Sequence, residues 1–458
     1  MASKSFDAIL IGTGQAAPAL AARLAGTGMK IAIAERGLFG GTCVNTGCIP
    51  TKTLVASAAA AETVRRASQY GVVAGPPAVD MKAVKARKDE VSGASRTSVE
   101  KTLRELRNAT VYVGHARFES PHEVRVGDDV LRSEKIFLNV GGRALTESIE
   151  GADATPHWTN SSIMEVDFVP PHLVIVGGSY VGLEFAQMYR RFGSAVTVVE
   201  MADRIVQRED EEVSSGIRSI LEREGVAIRT GAKCITAEKG PSGIRIRVDC
   251  EEGLPVVDGT HLLLAVGRRP NTDDLGLDRA GVVVDARGYV QVDDQLRTSV
   301  EGIWALGDCN GKGAFTHTSY NDFEIVAANL LDGDSRRVSD RIEAYALYVD
   351  PPLGRAGMTE TAALKAGKRI LVGKRHMARV GRAIEKGETQ GLMKIVVDAD
   401  SKQILGAAIL GVGGDEVIHT ILDVMYARAP YTLIQRAMHI HPTVSELLPT
   451  LMGELAPG

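Results

Sequence analysis

No run of about 18 apolar residues occurs in the sequence, which excludes a membrane-spanning helix. Charge of one sign is also missing. Lys and Arg number 53 against 57 Asp and Glu, a formal net charge of −4, with no polybasic tail or stripe. Nucleic acid and anionic membrane are therefore not expected as partners. The N-terminal "MASKSFDAILIGTGQAAPALAA" has an early lysine and small residues, as a signal peptide would. Asp7 and the Gly12-Thr13-Gly14 turn interrupt it before an apolar region of the required length accumulates. A cytoplasmic location is expected. Cysteine is scarce, with five in 458 residues, and only Cys43 and Cys48 lie close together. Cys234, Cys250 and Cys309 are scattered, with no C-x-x-C and no nearby histidine. A zinc site takes four ligands, typically from two close pairs, so no metal site is expected.

What is present is a repeated pattern. Residues 6–36 read as buried strand, glycine turn, alanine-rich helix and second strand, and residues 172–200 repeat it. Alternation of this kind implies parallel, doubly wound sheets. Residues 53–110 read as largely helical, and 111–140 as short β runs. "KIFLNVGGRA" and "HLLLAVGRRP" are matching strand-then-glycine exits, read as chain crossings between domains. From about residue 337 the character changes. "GLMKIVVDADSKQILGAAILG" reads as a hairpin with its turn at "DADSK", followed by the helical "GDEVIHTILDVMYARAP". The length suggests about two to four domains.

The first glycine turn is G-x-G-x-x-A: Gly12, Gly14, Ala17. The first glycine permits the turn, the second lets backbone approach a pyrophosphate, and the third small residue packs helix on strand. The helix N-terminus offers free N–H groups to phosphate. Glu35 stands where a carboxylate holds ribose hydroxyls. The alternative, a plain glycine turn in an α/β sheet, does not account for strand, helix and acid together. The second turn reads Gly177-Gly178-Ser179-Tyr180-Val181-Gly182, with Ser179 in place of the middle glycine. Glu200 follows Gly177 by 23 residues, as Glu35 follows Gly12. A carboxylate there repels a 2′-phosphate, so NADH is favoured over NADPH. Arg204 reads as a solvated charge. Two such units suggest two dinucleotides, one resident and one exchanging.

Cys43 and Cys48 lie in "GGTCVNTGCIPTK", just after Glu35. In the cytosol a stapling disulfide is uncommon, and a close pair is more often catalytic or metal-binding. With zinc disfavoured, redox work beside the first dinucleotide remains. This stretch resembles the redox-active motif of the flavin-dependent pyridine nucleotide–disulfide oxidoreductases, which include dihydrolipoamide dehydrogenase, glutathione reductase and mercuric reductase. The likeness extends through "LLLAVGRRPNT" (262–272), "GIWALGDC" (302–309), "DPPLGRAGMTE" (350–360) and "HIHPTVSE" (439–446), so it covers essentially the whole chain.

The resemblance implies an α/β fold with two Rossmann-like dinucleotide-binding domains and a C-terminal α+β dimerisation domain. Residues 1–148 with 266–336 would bind FAD, 149–265 would bind NAD(P)H, and 337–458 would pair two subunits. Cys48 would face the flavin and form a thiolate–flavin charge-transfer pair, and Cys43 would attack substrate. Lys52 would lie by the flavin N5 and pair with Glu184. Tyr180 would cover the flavin's nicotinamide face and swing aside. Gly12, Gly14, Ala17, Glu35, Gly41, Thr42, Lys52, Gly307 and Asp308 would bind FAD. Gly177, Gly178, Ser179, Gly182, Glu200 and Gly267 would bind the nicotinamide nucleotide. His441 would be the acid–base residue and Glu446 its orienting carboxylate, reaching the cysteines of the other subunit in an obligate homodimer. On physical grounds a neighbouring imidazole can lower a thiol pKa and carry its proton. The plainer reading of this segment is an exposed helix start at "PTVSE". His439 reads as structural, and Cys234, Cys250 and Cys309 as packing residues.

Within the family the sequence carries no cysteine after Cys309, unlike mercuric reductases, and Glu200 stands where glutathione reductases have basic residues. "GAFTHTSYNDFEIVAANLL" and "YTLIQRAMHIHPTVSELL" are most similar to the reactive-chlorine resistance flavoproteins, which reduce hypothiocyanous acid and related oxidants. The expected function is an FAD enzyme passing electrons from NAD(P)H through Cys43 and Cys48 to a small disulfide or oxidant. The alternatives are a dihydrolipoamide dehydrogenase, a mercuric reductase-like enzyme without the C-terminal cysteine pair, and a non-catalytic redox sensor.

Overall fold

The structure is a computed structural model that describes residues 3–249 and 254–458. A five-stranded parallel sheet carries the first unit, in the spatial order Ile303–Ala305, Ile136–Leu138, Ala8–Ile11, Ile31–Glu35, Ala109–Val113. Ile9 and Ile11 enter one apolar cluster, while Ala8 and Leu10 enter another on the opposite face. Side chains alternate along a strand, so a strand covered on both faces must be apolar throughout, as "AILI" is. The chain then turns at Gly12, where φ is +91°, a region that favours glycine. An added Cβ there would lie 2.4 Å from the Asn139 carbonyl oxygen. The helix Ala17–Gly26 follows, with Pro18 in its first turn, where no N–H partner is lost.

The second unit repeats this with a four-stranded parallel sheet, ordered Val226–Arg229, Ala195–Val199, His172–Val176, His261–Leu264. Its helix, Tyr180–Phe192, is buried along most of its length. The two glycine exits pair with each other: Arg268–Pro270 runs antiparallel to Gly142–Ala144. The C-terminal block is a six-stranded antiparallel sheet containing the hairpin Leu392–Asp398 and Ile404–Leu410, with the helix Gly414–Tyr426 packed on it. Between "HIHPT" and the end, helix begins later than "PTVSE" suggests: a single 3₁₀ turn at Ser445–Leu447 leads into Leu448–Gly453.

One apolar cluster joins the three blocks. It contains Leu54 and Ala58 of the helix Cys48–Arg65, Leu173 and Leu183 of the second unit, and Leu347, Leu353 and Leu410 of the C-terminal block. A charged clamp lies between the second and third blocks. Lys394, 2% exposed, stands 2.7 Å from Asp210, 2.8 Å from Glu212 and 2.7 Å from Glu360. Asp210 also accepts the N–H groups of Glu360 and Thr361. Burial alone would push the Asp210 carboxyl up, but Lys394 and these N–H donors hold it down at about 2.

Lys394→Met removes the buried cation that joins Asp210 to Glu212 and Glu360, leaving only the half-exposed Lys374 beside the latter two. Stranding buried charge costs about 3 kcal/mol or more, so the thermal unfolding midpoint falls sharply. Because the Asp210 pKa is depressed, its share of stability is present above the ordinary carboxylate range and is lost as pH falls toward 2. The deficit of the variant relative to wild type therefore shrinks in strong acid, which unfolding midpoints measured across pH check.

Candidate active site

An elongated cavity of about 840 Å³ runs from Glu35 to Lys52. Gly12, Gly14, Gly41, Thr42, Cys43, Cys48, Asp308, Tyr180 and Glu184 all line it. At the Glu35 end, the carboxylate accepts Thr13 N at 2.9 Å and Thr13 Oγ1 at 2.6 Å, and its other oxygen accepts Gly37 N at 2.8 Å. The head of the helix Ala17–Gly26 is pinned by Asn139. Its Oδ1 accepts Ala17 N at 3.3 Å, and its Nδ2 donates to the Leu306 carbonyl at 2.9 Å. A Cβ on Gly14 would lie 2.7 Å from Asn139 Oδ1, and one on Gly41 3.0 Å from Gly14 Cα. Asn139 was not legible as a site residue, because nothing in its own neighbourhood of sequence points to the glycine turn far upstream. Asp308 lies 3.6 Å from Arg268 Nη2, and burial pushes its carboxyl up from the usual range. Arg268 also donates to Thr42 Oγ1 at 3.2 Å.

At the far end are the thiols. Cys43 sits in the short helix Gly41–Asn45, and Cys48 opens the helix Cys48–Arg65, after Gly47. Both are half-buried free thiols. Cys43 donates its S–H to Cys48, and Thr316 Oγ1 lies 3.0 Å from Cys48 Sγ. The hydrogen bond from Cys43 is the largest effect; burial opposes it, and Thr316 and the charge of Lys52 assist, so the Cys48 thiol falls to about 6. The first turn of a helix also favours an anion. The same hydrogen bond, together with burial, pushes the Cys43 thiol up. The two sulfurs are therefore not equivalent: Cys48 is biased toward the thiolate and Cys43 toward the thiol. Thr316 is a residue that motif reading passed over, although it lies within the "GAFTHTSYNDF" segment.

Lys52 Nζ donates to Glu184 Oε2 at 2.6 Å and lies 4.6 Å from the centre of the Tyr348 ring. Glu184 is 5% exposed, and its other oxygen accepts Tyr348 N at 3.0 Å. Tyr180, at the head of the helix Tyr180–Phe192, packs edge-on against Phe315 and Tyr345, and its buried hydroxyl has no hydrogen-bond partner. Burial pushes that phenol up.

Other residues singled out in the sequence lie elsewhere. Gly177, Gly178, Ser179, Gly182, Glu200 and Gly267 do not line the cavity, nor do Ala17 and Gly307; the second block meets it through Asn160, Tyr180, Val181, Glu184 and Phe185. Glu200 accepts Gly178 N at 2.5 Å and Ala202 N at 2.8 Å, and Ser179 is exposed at the helix head. Arg204 is not a solvated charge: it is half-buried, and its guanidinium donates to the carbonyls of Gln207 and Glu209. His441 Nδ1 lies 2.8 Å from Glu446 Oε2, but the His441 side chain is 80% exposed and outside the cavity wall. One chain alone does not bring this dyad to the thiols. His439 is exposed. Cys309 is buried in the core of the first unit, as a packing residue should be. Cys234 is instead exposed, with φ +50°. Cys250 lies outside the described residues.

These residues fit FAD. Close contacts at Gly12, Gly14 and Gly41 leave no room for side chains, the N-terminus of the helix Ala17–Gly26 opens on the cavity, and the half-buried Asp308 carboxylate can accept hydrogen bonds from hydroxyls. The second glycine turn fits a dinucleotide in the same way. Its helix N-terminus has no side-chain cap, and each Glu200 oxygen keeps a lone pair free.

The family model described as pyridine nucleotide-disulphide oxidoreductase matches residues 6–322, and its dimerisation domain matches 344–452. The chain is 36% identical to "Probable pyridine nucleotide-disulfide oxidoreductase RclA" of Escherichia coli, across 98% of this chain and 99% of the relative. It is 33% identical to a dihydrolipoyl dehydrogenase of Thermus scotoductus (97% and 96% covered) and 32% to a mercuric reductase of Streptomyces lividans (98% and 95%). The solved structure titled "HOCl-induced flavoprotein disulfide reductase RclA from Escherichia coli" superposes with a TM-score of 0.88 at 34% identity, over 98% of this chain and 99% of that one.

Thr316→Val removes a hydrogen bond to a thiolate, worth about 1.5–3 kcal/mol. The Cys48 thiol therefore rises by about one unit or more above its value of about 6. The pH dependence of alkylation by iodoacetamide, with Cys43→Ser as control, measures it. An unchanged profile would show that Thr316 does not hold the anion.

Proposed function

The chain belongs to the pyridine nucleotide-disulphide oxidoreductases, homodimeric flavoenzymes that use FAD and NAD(P)H and act on sulfur groups, and within that family we propose that it is an NADH-preferring reductase of small oxidants of the reactive-chlorine type, hypothiocyanous acid among them. The carrying observation is the asymmetric thiol pair at the end of the cavity, in a chain alike over its full length to a protein titled an HOCl-induced flavoprotein disulfide reductase. In this reading residues 1–148 and 266–336 bind FAD, 149–265 bind the nicotinamide nucleotide, and 337–458 pair the subunits. The site is cytoplasmic.

Gly12, Gly14, Ala17, Glu35, Gly41, Thr42, Lys52, Gly307 and Asp308 would hold FAD. FAD bound there would supply two-electron transfer between the nicotinamide and the Cys43–Cys48 disulfide. Glu200 selects a free ribose 2′-hydroxyl, and Gly177, Gly178, Ser179, Gly182 and Gly267 seat the rest of that nucleotide. Tyr180 covers the face the nicotinamide needs and moves aside for it.

In the reduced pair Cys43 carries the proton, so it needs a base before it can attack. The exposed His441, held by Glu446, serves that role from the second subunit. The Cys43 thiolate attacks the sulfur of the oxidant: with hypothiocyanous acid, a Cys43–S–SCN bond forms and hydroxide leaves, protonated by the imidazolium. The Cys48 thiolate then attacks Cys43 sulfur, forming the disulfide and expelling thiocyanate. Thr316 and Lys52 keep Cys48 ionised for this step.

A second reading, dihydrolipoamide dehydrogenase, rests on the Thermus relative. NADH oxidation by the wild type is expected to be fastest with hypothiocyanite in a panel that also holds lipoamide, glutathione disulfide and Hg(II). Preferential turnover of lipoamide would overturn the oxidant assignment. Cys43→Ser and Cys48→Ser should each abolish turnover. His441→Ala should lower it by about 10²–10⁴-fold, the usual contribution of a positioned acid–base group, while NADH still bleaches the flavin.

A further inference from the structure

Tyr180 rests on an aromatic platform whose own support lies elsewhere. Tyr345 and Phe315 are stacked, 5.4 Å apart and 15° from parallel, and the Tyr180 ring meets both nearly at right angles, at 5.3 and 6.0 Å. Phe315 immediately precedes Thr316, the partner of Cys48. Tyr345 is fixed by its hydroxyl, which donates to Glu209 Oε1 at 2.5 Å. Glu209 is 2% exposed, and its Oε2 lies 3.3 Å from Arg355 Nε, itself buried on the strand Leu353–Gly357. A buried carboxylate between a guanidinium and a phenol holds a defined orientation, because losing either partner leaves charge uncompensated.

Glu209 also closes the loop that begins at Glu200. Glu200 holds Gly178 N and Ala202 N; Val206 N donates to the Gly178 carbonyl at 2.9 Å; Arg204 donates to the Glu209 carbonyl at 3.2 Å. The next residue, Asp210, is clamped to Lys394. One short, internally bonded loop thus connects the turn read as the nicotinamide-nucleotide site with the aromatic platform under Tyr180.

We infer that Glu209, acting through the Tyr345 hydroxyl, is a positioning residue that sets how tightly Tyr180 closes the nicotinamide side of the cavity. The inference rests on the reading of Tyr180 as a movable cover. It gives Glu209 and Arg355 a role in the nicotinamide half of the reaction, although neither touches the thiols. With the Tyr345 ring freed to turn, Tyr180 loses its backing and the cavity opens more often.

The test uses FAD-loaded dimer without nucleotide and compares Tyr345→Phe, Glu209→Gln and Tyr180→Ala. Quenching of flavin fluorescence by iodide reads how open the cavity is, and titration with NAD⁺ reads the nucleotide site. Tyr345→Phe and Glu209→Gln should each raise quenching several-fold, toward the level of Tyr180→Ala. Adding Tyr345→Phe to Tyr180→Ala should raise it no further. The KM for NADH should move more than kcat. Tyr345→Phe removes a single oxygen atom, so it decides the matter even if the Gln variant fails to fold. Wild-type quenching in Tyr345→Phe, with strong quenching in Tyr180→Ala, overturns the role of Glu209 and leaves the cover intact. Unchanged quenching in Tyr180→Ala overturns the cover itself, and the inference with it. A lower unfolding midpoint without any change in quenching marks a purely structural role and also overturns it.

Discussion

The Glu184 carboxylate is where the molecule's three parts are held in one geometry. It sits on the helix Tyr180–Phe192 of the second unit, takes a proton donor from Lys52 of the cysteine-bearing helix, and takes another from the backbone of Tyr348 in the C-terminal block. A carboxylate this deeply buried costs several kcal/mol unless paired and hydrogen-bonded. Its partners come from segments 132 and 164 residues away, so separating any two parts exposes the cost. Lys52 in turn helps hold the Cys48 thiol in its ionised form. The contact that locks the domains is therefore continuous with the contact that sets the sulfur chemistry.

Around that point the thiol pair works by inequality. Two cysteines in similar burial diverge because one proton is shared between them, and Thr316 and the lysine charge decide where it stays. Cys48 is biased toward the anion and Cys43 toward the thiol. His441 is not among the residues that line the cavity of a single chain, although His115, His317 and His419 are. The His441–Glu446 pair is preassembled and lies in the block that matches the dimerisation domain, away from the cavity wall of its own chain.

Much of this was legible beforehand because it is local. The strand-turn-helix units depend on glycine conformations and on apolar runs that a few consecutive residues specify, and both sheets formed where "DAILIG" and "HLVIVG" indicated. The C-terminal hairpin and its following helix are local in the same sense. Asn139, Thr316, Tyr345 and Glu209 were not legible. Each acts across a long sequence separation, and none belongs to a spacing pattern that chemistry alone demands. Arg204 and Cys234 went the other way: sequence has no means of knowing that a loop folds back on one guanidinium, or that a strand end leaves one thiol in solvent.

The sequence by itself determined the two dinucleotide units, the redox-active pair between them and the family they belong to, because glycine turns, cysteine spacing and a carboxylate 23 residues downstream are constraints of local geometry and chemistry. Tertiary structure decided which sulfur carries the charge, where the cavity ends and what stands behind its cover. Those outcomes depend on burial and on partners brought from distant segments, and a pKa or a stacked ring exists only once the chain has enclosed it.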